Sequence, residues 1–96
     1  MELRVLRYFL AVVREENISR AAQILHMTQP TLSRQLSQLE EELDAQLFIR
    51  GKRLILTDAG MMLRRRAEEV VQMVDKIEGE FQERADITGV ITIGCG

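Results

Sequence analysis

Thr28-Gln29-Pro30 stands directly ahead of four leucines, Leu32, Leu36, Leu39 and Leu43, spaced 4, 3 and 4 residues apart. Nothing else in the chain constrains its fold so tightly. Threonine caps an incoming helix. Proline is tolerated in a first turn, where amides have no intrahelical acceptor in any case. The leucine spacing then gives a helix one apolar face and leaves the remainder polar. Just upstream, Ser19 reads as the N-cap of a short helix over Arg20 to His26. Only about two or three residues separate the two helices, a short connection that forces them to pack on each other. Ala21 and Ala22 leave room for a close approach. A helix-turn-helix follows from these features.

The flanks extend the pattern. Leu3, Leu6, Phe9, Leu10 and Val13 predict a first helix over Glu2 to Glu16 with a single apolar stripe. From Asp44 to Thr57 the helical period disappears. Leu47-Phe48-Ile49 and Leu54-Ile55-Leu56 instead flank the basic tip Arg50-Gly51-Lys52-Arg53, the signature of a β-hairpin. Thr57 or Asp58 caps a long fourth helix running to about Arg84. Along it Leu63, Ala67, Val70, Val74, Ile77 and Phe81 follow steps of 4, 3, 4, 3 and 4, the seam of a coiled coil. A chain of 96 residues has little core with which to cover so long a helix. The seam is therefore expected to serve a second copy, although a stripe packed on the chain's own core has the same spacing. Gly79 is its weak point. Val90 to Ile93 reads as a strand with no visible partner, and Cys95 as a buried strand residue.

Charge is distributed unevenly. The net charge of −2 argues against a nucleic-acid ligand, but residues 1–57 carry eight basic and seven acidic side chains, and residues 58–96 five and eight. No acid lies between Glu16 and Glu40, or between Asp44 and Asp58. The acid-free windows hold Arg20, His26 and Arg34, then Arg50, Lys52 and Arg53. Charge alone does not separate a phosphate-binding face from a merely solvated one. The third helix adds to the case. Opposite its leucines lie Pro30, Ser33, Arg34, Ser37 and Gln38, with Thr31 at the edge. A helix that enters a major groove needs short polar residues near its start, and an Arg or Gln that can pair with base edges.

Other chemistries find little support. One cysteine and one histidine exclude an intrachain disulfide and a multi-Cys or His-rich metal site. Ser33 has no nearby His or Asp with which to form a nucleophile, so no enzymatic activity is expected. His26 reads as a structural turn residue, and Met27, Met61, Met62 and Met73 as packing residues. The apolar run Tyr8 to Val13 is too short for a signal peptide or membrane span, which points to a soluble cytoplasmic protein.

The stretch Ser19-Arg20-Ala21-Ala22, then Leu25-His26-Met27-Thr28-Gln29-Pro30-Thr31-Leu32-Ser33-Arg34-Gln35-Leu36, resembles the helix-turn-helix of LysR-type transcriptional regulators. So do Leu39-Glu40-Glu41-Glu42-Leu43, Leu47-Phe48-Ile49-Arg50 and Leu56-Thr57-Asp58-Ala59-Gly60. The resemblance implies a bacterial regulator with an N-terminal winged helix-turn-helix, a linker helix and a C-terminal effector-binding domain. Carried over, it points to Gln29, Pro30, Thr31, Ser33 and Arg34 at the groove, with Arg20, Thr28 and Gln38 beside them. It also places Arg50, Lys52 and Arg53 in the wing, Arg53 being the one to enter a minor groove. Asp44 stands where the family usually has glycine, so the third helix must end on a non-glycine residue in the left-handed region. The wing between Arg50 and Leu56 is also a residue short of the family pattern.

The expected architecture is mainly α. A winged helix-turn-helix of three helices and a two-stranded hairpin occupies 1–57. A linker and dimerisation helix follows over 58–86, and 87–96 starts an effector-binding domain that residues 1–96 lack. The expected partners are double-stranded DNA with an inverted-repeat site, and a second copy through the linker helix, with a tetramer in the full-length protein and no membrane. No cofactor is expected in these residues, a small-molecule effector belonging to the C-terminal domain. The alternative is a winged-helix interaction module that does not touch DNA.

Overall fold

A computed structural model describes residues 1–95, with side chains described through Arg84. The elements run α1 (Leu3–Glu15), α2 (Ile18–Ile24), α3 (Gln29–Leu43), β1 (Phe48–Ile49), β2 (Ile55–Leu56) and α4 (Asp58–Cys95). The winged helix-turn-helix with an appended long helix is therefore the observed architecture.

The core forms where α1 meets everything else. Val5, Phe9 and Val12 of α1 pack with Ala21 and Ala22 of α2, the α3 leucines Leu32, Leu36 and Leu39, and Leu47 and Phe48. The rings of Phe9 and Phe48 lie 5.4 Å apart at 47°, a tilted aromatic contact that seats the wing on α1. The single stripe expected on α1 needs correction. Leu6 and Phe9 are buried as expected, but Val5, Ala11 and Val12 are buried too, while Leu3, Leu10 and Val13 are only half-buried. Helix α1 is clasped from two sides, by α2 and α3 on one and by α4 on the other, so its apolar face is wider than one stripe.

Each helix end has a local cause. Asn17, not Ser19, caps α2, its side-chain oxygen accepting the Arg20 N–H at 2.8 Å. Asparagine caps as well as serine, and its use leaves the Ser19 hydroxyl to bond elsewhere. The Thr28 cap on α3 is as expected. Helices α2 and α3 both close with a paired C-terminal motif. Met27 N–H donates to Ala22 C=O and His26 N–H to Gln23 C=O, while Ala45 N–H donates to Glu40 C=O and Asp44 N–H to Glu41 C=O. That motif puts His26 at φ 58° and Asp44 at φ 52°, both left-handed, and Glu16 ends α1 at φ 56°. His26 is thus a turn residue, as the sequence predicts.

Strands of two residues each are too short to hold a wing unaided. The antiparallel register pairs Phe48 with Leu56 and Ile49 with Ile55. The root is then tied down from three directions. The Glu40 carboxylate accepts the N–H groups of Leu47 at 2.7 Å and Phe48 at 3.3 Å. Gln46 donates to the Phe48 carbonyl at 2.9 Å. Thr57 N–H donates to the Leu47 carbonyl at 3.0 Å, while the Thr57 hydroxyl accepts the Gly60 N–H at 3.0 Å and so caps α4.

Helix α4 is about 57 Å long at 1.5 Å per residue, and it sets the 55 Å long axis of the molecule. It leans on α1 through Leu63 and Ala67, and the Arg7 guanidinium reaches Asp75 at 3.0 Å. The helix runs beyond the expected end at 86, and the strand expected over Val90 to Ile93 is carried as helix. A lone strand would leave its backbone groups unpaired, whereas a helix satisfies them within itself. Side chains of residues 85–96 lie outside the described residues, as does the expectation for Cys95. The reading of 87–96 as the start of another domain also stays an expectation. Among the described residues no helix is long and apolar enough to cross a membrane.

The expected coiled-coil seam divides. Ala67 is buried against its own domain and Leu63 packs on the same core. Val70, Ile77 and Phe81 are exposed, and Val74 is half-buried between the two sets. Met61, Met62 and Met73, expected to pack, are exposed instead, at 51%, 57% and 59%. Only Met27 packs against the core. Advancing 100° per residue, Met62, Met73, Ile77, Val70 and Phe81 fall within about 100° of one another, on an exposed face of α4 that adjoins the Leu63 and Ala67 side.

Candidate nucleic-acid interface

Helix α3 begins at a capped turn that points its first residues outward. Thr28 accepts the Thr31 N–H through its hydroxyl at 3.4 Å. The same hydroxyl donates to the Thr31 hydroxyl oxygen at 2.7 Å. Pro30 occupies the first turn without an N–H to leave unsatisfied. Leu32, Leu36 and Leu39 are fully buried and anchor the inner face. Gln29, Pro30, Thr31, Arg34 and Gln38 are consequently exposed, and Ser33 is half-buried. The positive end of the helix dipole lies at the same point.

Two neighbouring elements hold side chains of this head in place. Ser19 on α2 donates its hydroxyl proton to the Gln29 Oε1 at 2.8 Å. Arg50, just after β1, donates from Nη1 to the Ser33 Oγ at 3.2 Å. The wing is therefore in register with the helix it flanks. Ser19, Gln29, Arg50 and Lys52 line one shallow cleft between α2, α3 and the wing.

The expected residues do not all converge. Arg53 lines a neighbouring cavity instead, with Val12, Glu16 and Arg64. The basic tip is thus divided, with Arg50 and Lys52 toward α3 and Arg53 toward α4. Gln38 lies beside Glu2 and Glu42, at the acidic margin of the face. Arg20 is exposed on α2.

Among the described residues the cations of the site lack carboxylate partners, as do Arg64, Arg65 and Lys76 on α4, whereas others on the surface are paired. Arg4, Arg7, Arg14 and Arg66 each meet a carboxylate within 4.0 Å. Among the described residues, Arg20, Arg34, Arg50, Lys52 and Arg53 form no ion pair. Unneutralised cations beside a neutral polar helix head suit a polyanion that brings its own charge.

Two contributors escaped the sequence. Ser19 was assigned to a cap that Asn17 makes, although an Asn three residues ahead of Arg20 was a legible signal for the alternative. Glu40 reads as one of a run of surface acids, and nothing in its spacing announces two backbone N–H partners seven and eight residues on.

A short helix, the turn Leu25–Thr28, a polar helix head and a basic antiparallel hairpin together define a winged helix-turn-helix of the nucleic-acid-binding kind. The chain belongs to the bacterial regulatory helix-turn-helix proteins of the lysR family, whose model matches residues 3–61. It is 41% identical to the HTH-type transcriptional regulator BsdA of Bacillus subtilis, over 98% of this chain and 33% of that protein. It is 42% identical to the HTH-type transcriptional regulator BenM of Acinetobacter baylyi, over 98% of this chain and 31% of that one. The chain thus spans about a third of the length of these relatives. Among solved structures, the BenM DNA-binding domain in complex with catB site 1 DNA superposes with a TM-score of 0.85 at 42% identity, covering 90% of this chain and 94% of that one. The CbnR DNA-binding domain in complex with DNA gives 0.81 at 34% identity, over 88% and 99%.

Proposed function

We propose that this chain binds double-stranded DNA sequence-specifically and takes part in transcription regulation, with the head of α3 in a major groove. The observation that carries it is the pairing of a neutral polar helix head with unpaired Arg34, Arg20 and Lys52 around it. The likeness to domains solved on DNA supports this reading over a protein-interaction module. Thr28, Gln29, Pro30, Thr31, Ser33 and Arg34 serve the groove, and Arg20, Arg50 and Lys52 the flanking phosphates. Arg53 is assigned to a minor groove on the family resemblance, and Gln38 lies at the margin. The chain works beside DNA in the cytoplasm and has no catalytic role. A small-molecule effector, bound by a C-terminal domain, rests on the family resemblance.

A second copy completes the reading. The exposed face Met62, Val70, Met73, Ile77 and Phe81 needs an apolar partner, and two copies paired along α4 present two α3 helices to an inverted-repeat site.

The test is a gel shift on a duplex enriched from a random pool, at about 50 and 200 mM salt. Affinity should fall steeply with salt, and Arg34→Ala should cost about 1–3 kcal/mol on the enriched site while sparing random duplex. An equal loss on random duplex would make Arg34 a phosphate contact. No binding at either salt concentration would end the DNA reading.

A further inference from the structure

Three hydrogen bonds at the head of α3 share one direction. Ser19 donates to the Gln29 side-chain oxygen at 2.8 Å, Thr28 to the Thr31 hydroxyl oxygen at 2.7 Å, and Arg50 to the Ser33 hydroxyl oxygen at 3.2 Å. Each time the α3 residue accepts through one lone pair of its oxygen. The protons left to offer a ligand are two on Gln29 Nε2, one on each of the Thr31 and Ser33 hydroxyls, and the guanidinium fork of Arg34, while each accepting oxygen keeps one further lone pair. Pro30 adds neither donor nor acceptor from its side chain.

We propose that the head of α3 is a donor-biased reading surface, in which Ser19 engages the Gln29 oxygen and leaves Nε2 for the DNA, and that it favours base pairs with acceptor edges. The proposal rests on the DNA reading above and deepens it. In the major groove guanine presents N7 and O6, thymine O4 and adenine N7, whereas cytosine N4 and adenine N6 present protons. Glutamine ordinarily holds adenine with both ends of its amide, accepting from N6 and donating to N7. With Oε1 held by Ser19, Gln29 presents Nε2 more readily than Oε1, and guanine, with two adjacent acceptors, matches it better than adenine. Ser19 is then a positioning residue that sets specificity from a helix outside the reading helix. Arg50 does the same for Ser33 from the wing, so helix and wing read as one unit.

The experiment enriches sites from a random duplex pool with the wild-type chain, Ser19→Ala, Ser19→Thr and Gln29→Ala, with circular dichroism to verify folding. The pair read by Gln29 is the one whose preference Gln29→Ala abolishes. Ser19→Ala frees Oε1 and should move that preference toward adenine by about tenfold, a fraction of a full bidentate contact, without changing affinity for random duplex. Ser19→Thr keeps the hydroxyl and should keep the wild-type preference. An adenine analogue lacking the 6-amino group, placed at that pair, should weaken the Ser19→Ala variant and leave the wild type unaffected. A wild type that is sensitive to loss of the 6-amino group, or a Ser19→Ala variant with unmoved preference, would overturn the proposal and leave the DNA reading standing. A wild type that enriches no sequence would overturn both.

Discussion

A methyl group at position 60 would lie 2.3 Å from the Leu47 carbonyl oxygen and 2.8 Å from Leu56 Cδ2. The first of these is backbone and cannot swing away, so helix α4 can sit this close to the wing root only where a side chain is missing. Gly60→Ala should therefore destabilise the fold by about 2–3 kcal/mol, at the upper end of overpacking costs, as read from the midpoint of urea unfolding. The opposite sign is expected at Asp44. Its φ of 52° and ψ of 45° are left-handed, a conformation that costs an L-residue roughly 1–2 kcal/mol. Asp44→Gly removes that strain but adds freedom to the unfolded chain, leaving a net gain of about 0.5–1 kcal/mol in the same measurement. Gly60 sits in a motif that carries the family resemblance and Asp44 departs from the family pattern; the structure shows why the one glycine is obligatory and how the other position does without.

At the scale of elements, the wing is the part whose stability is borrowed. Two strands of two residues each lean on a carboxylate that arrives from α3. Glu40→Ala leaves the Leu47 and Phe48 N–H groups without an acceptor, which costs about 1–3 kcal/mol. The loss should be local as well as global: amide exchange at Leu47 and Phe48 should quicken ahead of exchange at Leu36 or Leu39. How legible an element was depended on how many faces it buries. Helix α3 buries one, and its leucine ladder marked span, inner face and outer face together. Helix α1 buries two, so a single-stripe reading found Leu6 and Phe9 but missed Val5 and Val12. The hairpin and its basic tip were visible from apolar runs around a glycine. Which side of the wing each cation occupies was not, because a turn of four residues carries no periodicity from which to read direction.

At the scale of the whole molecule, α4 belongs to two structures at once. Its Leu63 and Ala67 are used within the chain, while Ile77 and Phe81 are 46% and 65% exposed and lie outside its core. Six positions at heptad spacing gave no hint of this division, since steps of 3 and 4 describe a stripe and not what covers it. Ile77→Asp should consequently leave the fold intact by circular dichroism and turn dimers into monomers in sedimentation equilibrium. A wild-type chain that is monomeric at high micromolar concentration would refute the pairing along α4.

The close approach at Gly60 has a mechanical consequence. A rod held at its root, and again along α1 by Leu63, Ala67 and the Arg7–Asp75 pair, swings only with the domain it is clamped to. Arg84 lies about 36 Å along α4 from Gly60 at 1.5 Å per residue, so a joint tilt of about 5° about that root carries Arg84 through about 3 Å, close to the rise of one base pair. The missing methyl group thereby helps fix a gearing ratio between the far end of the helix and the groove-facing domain.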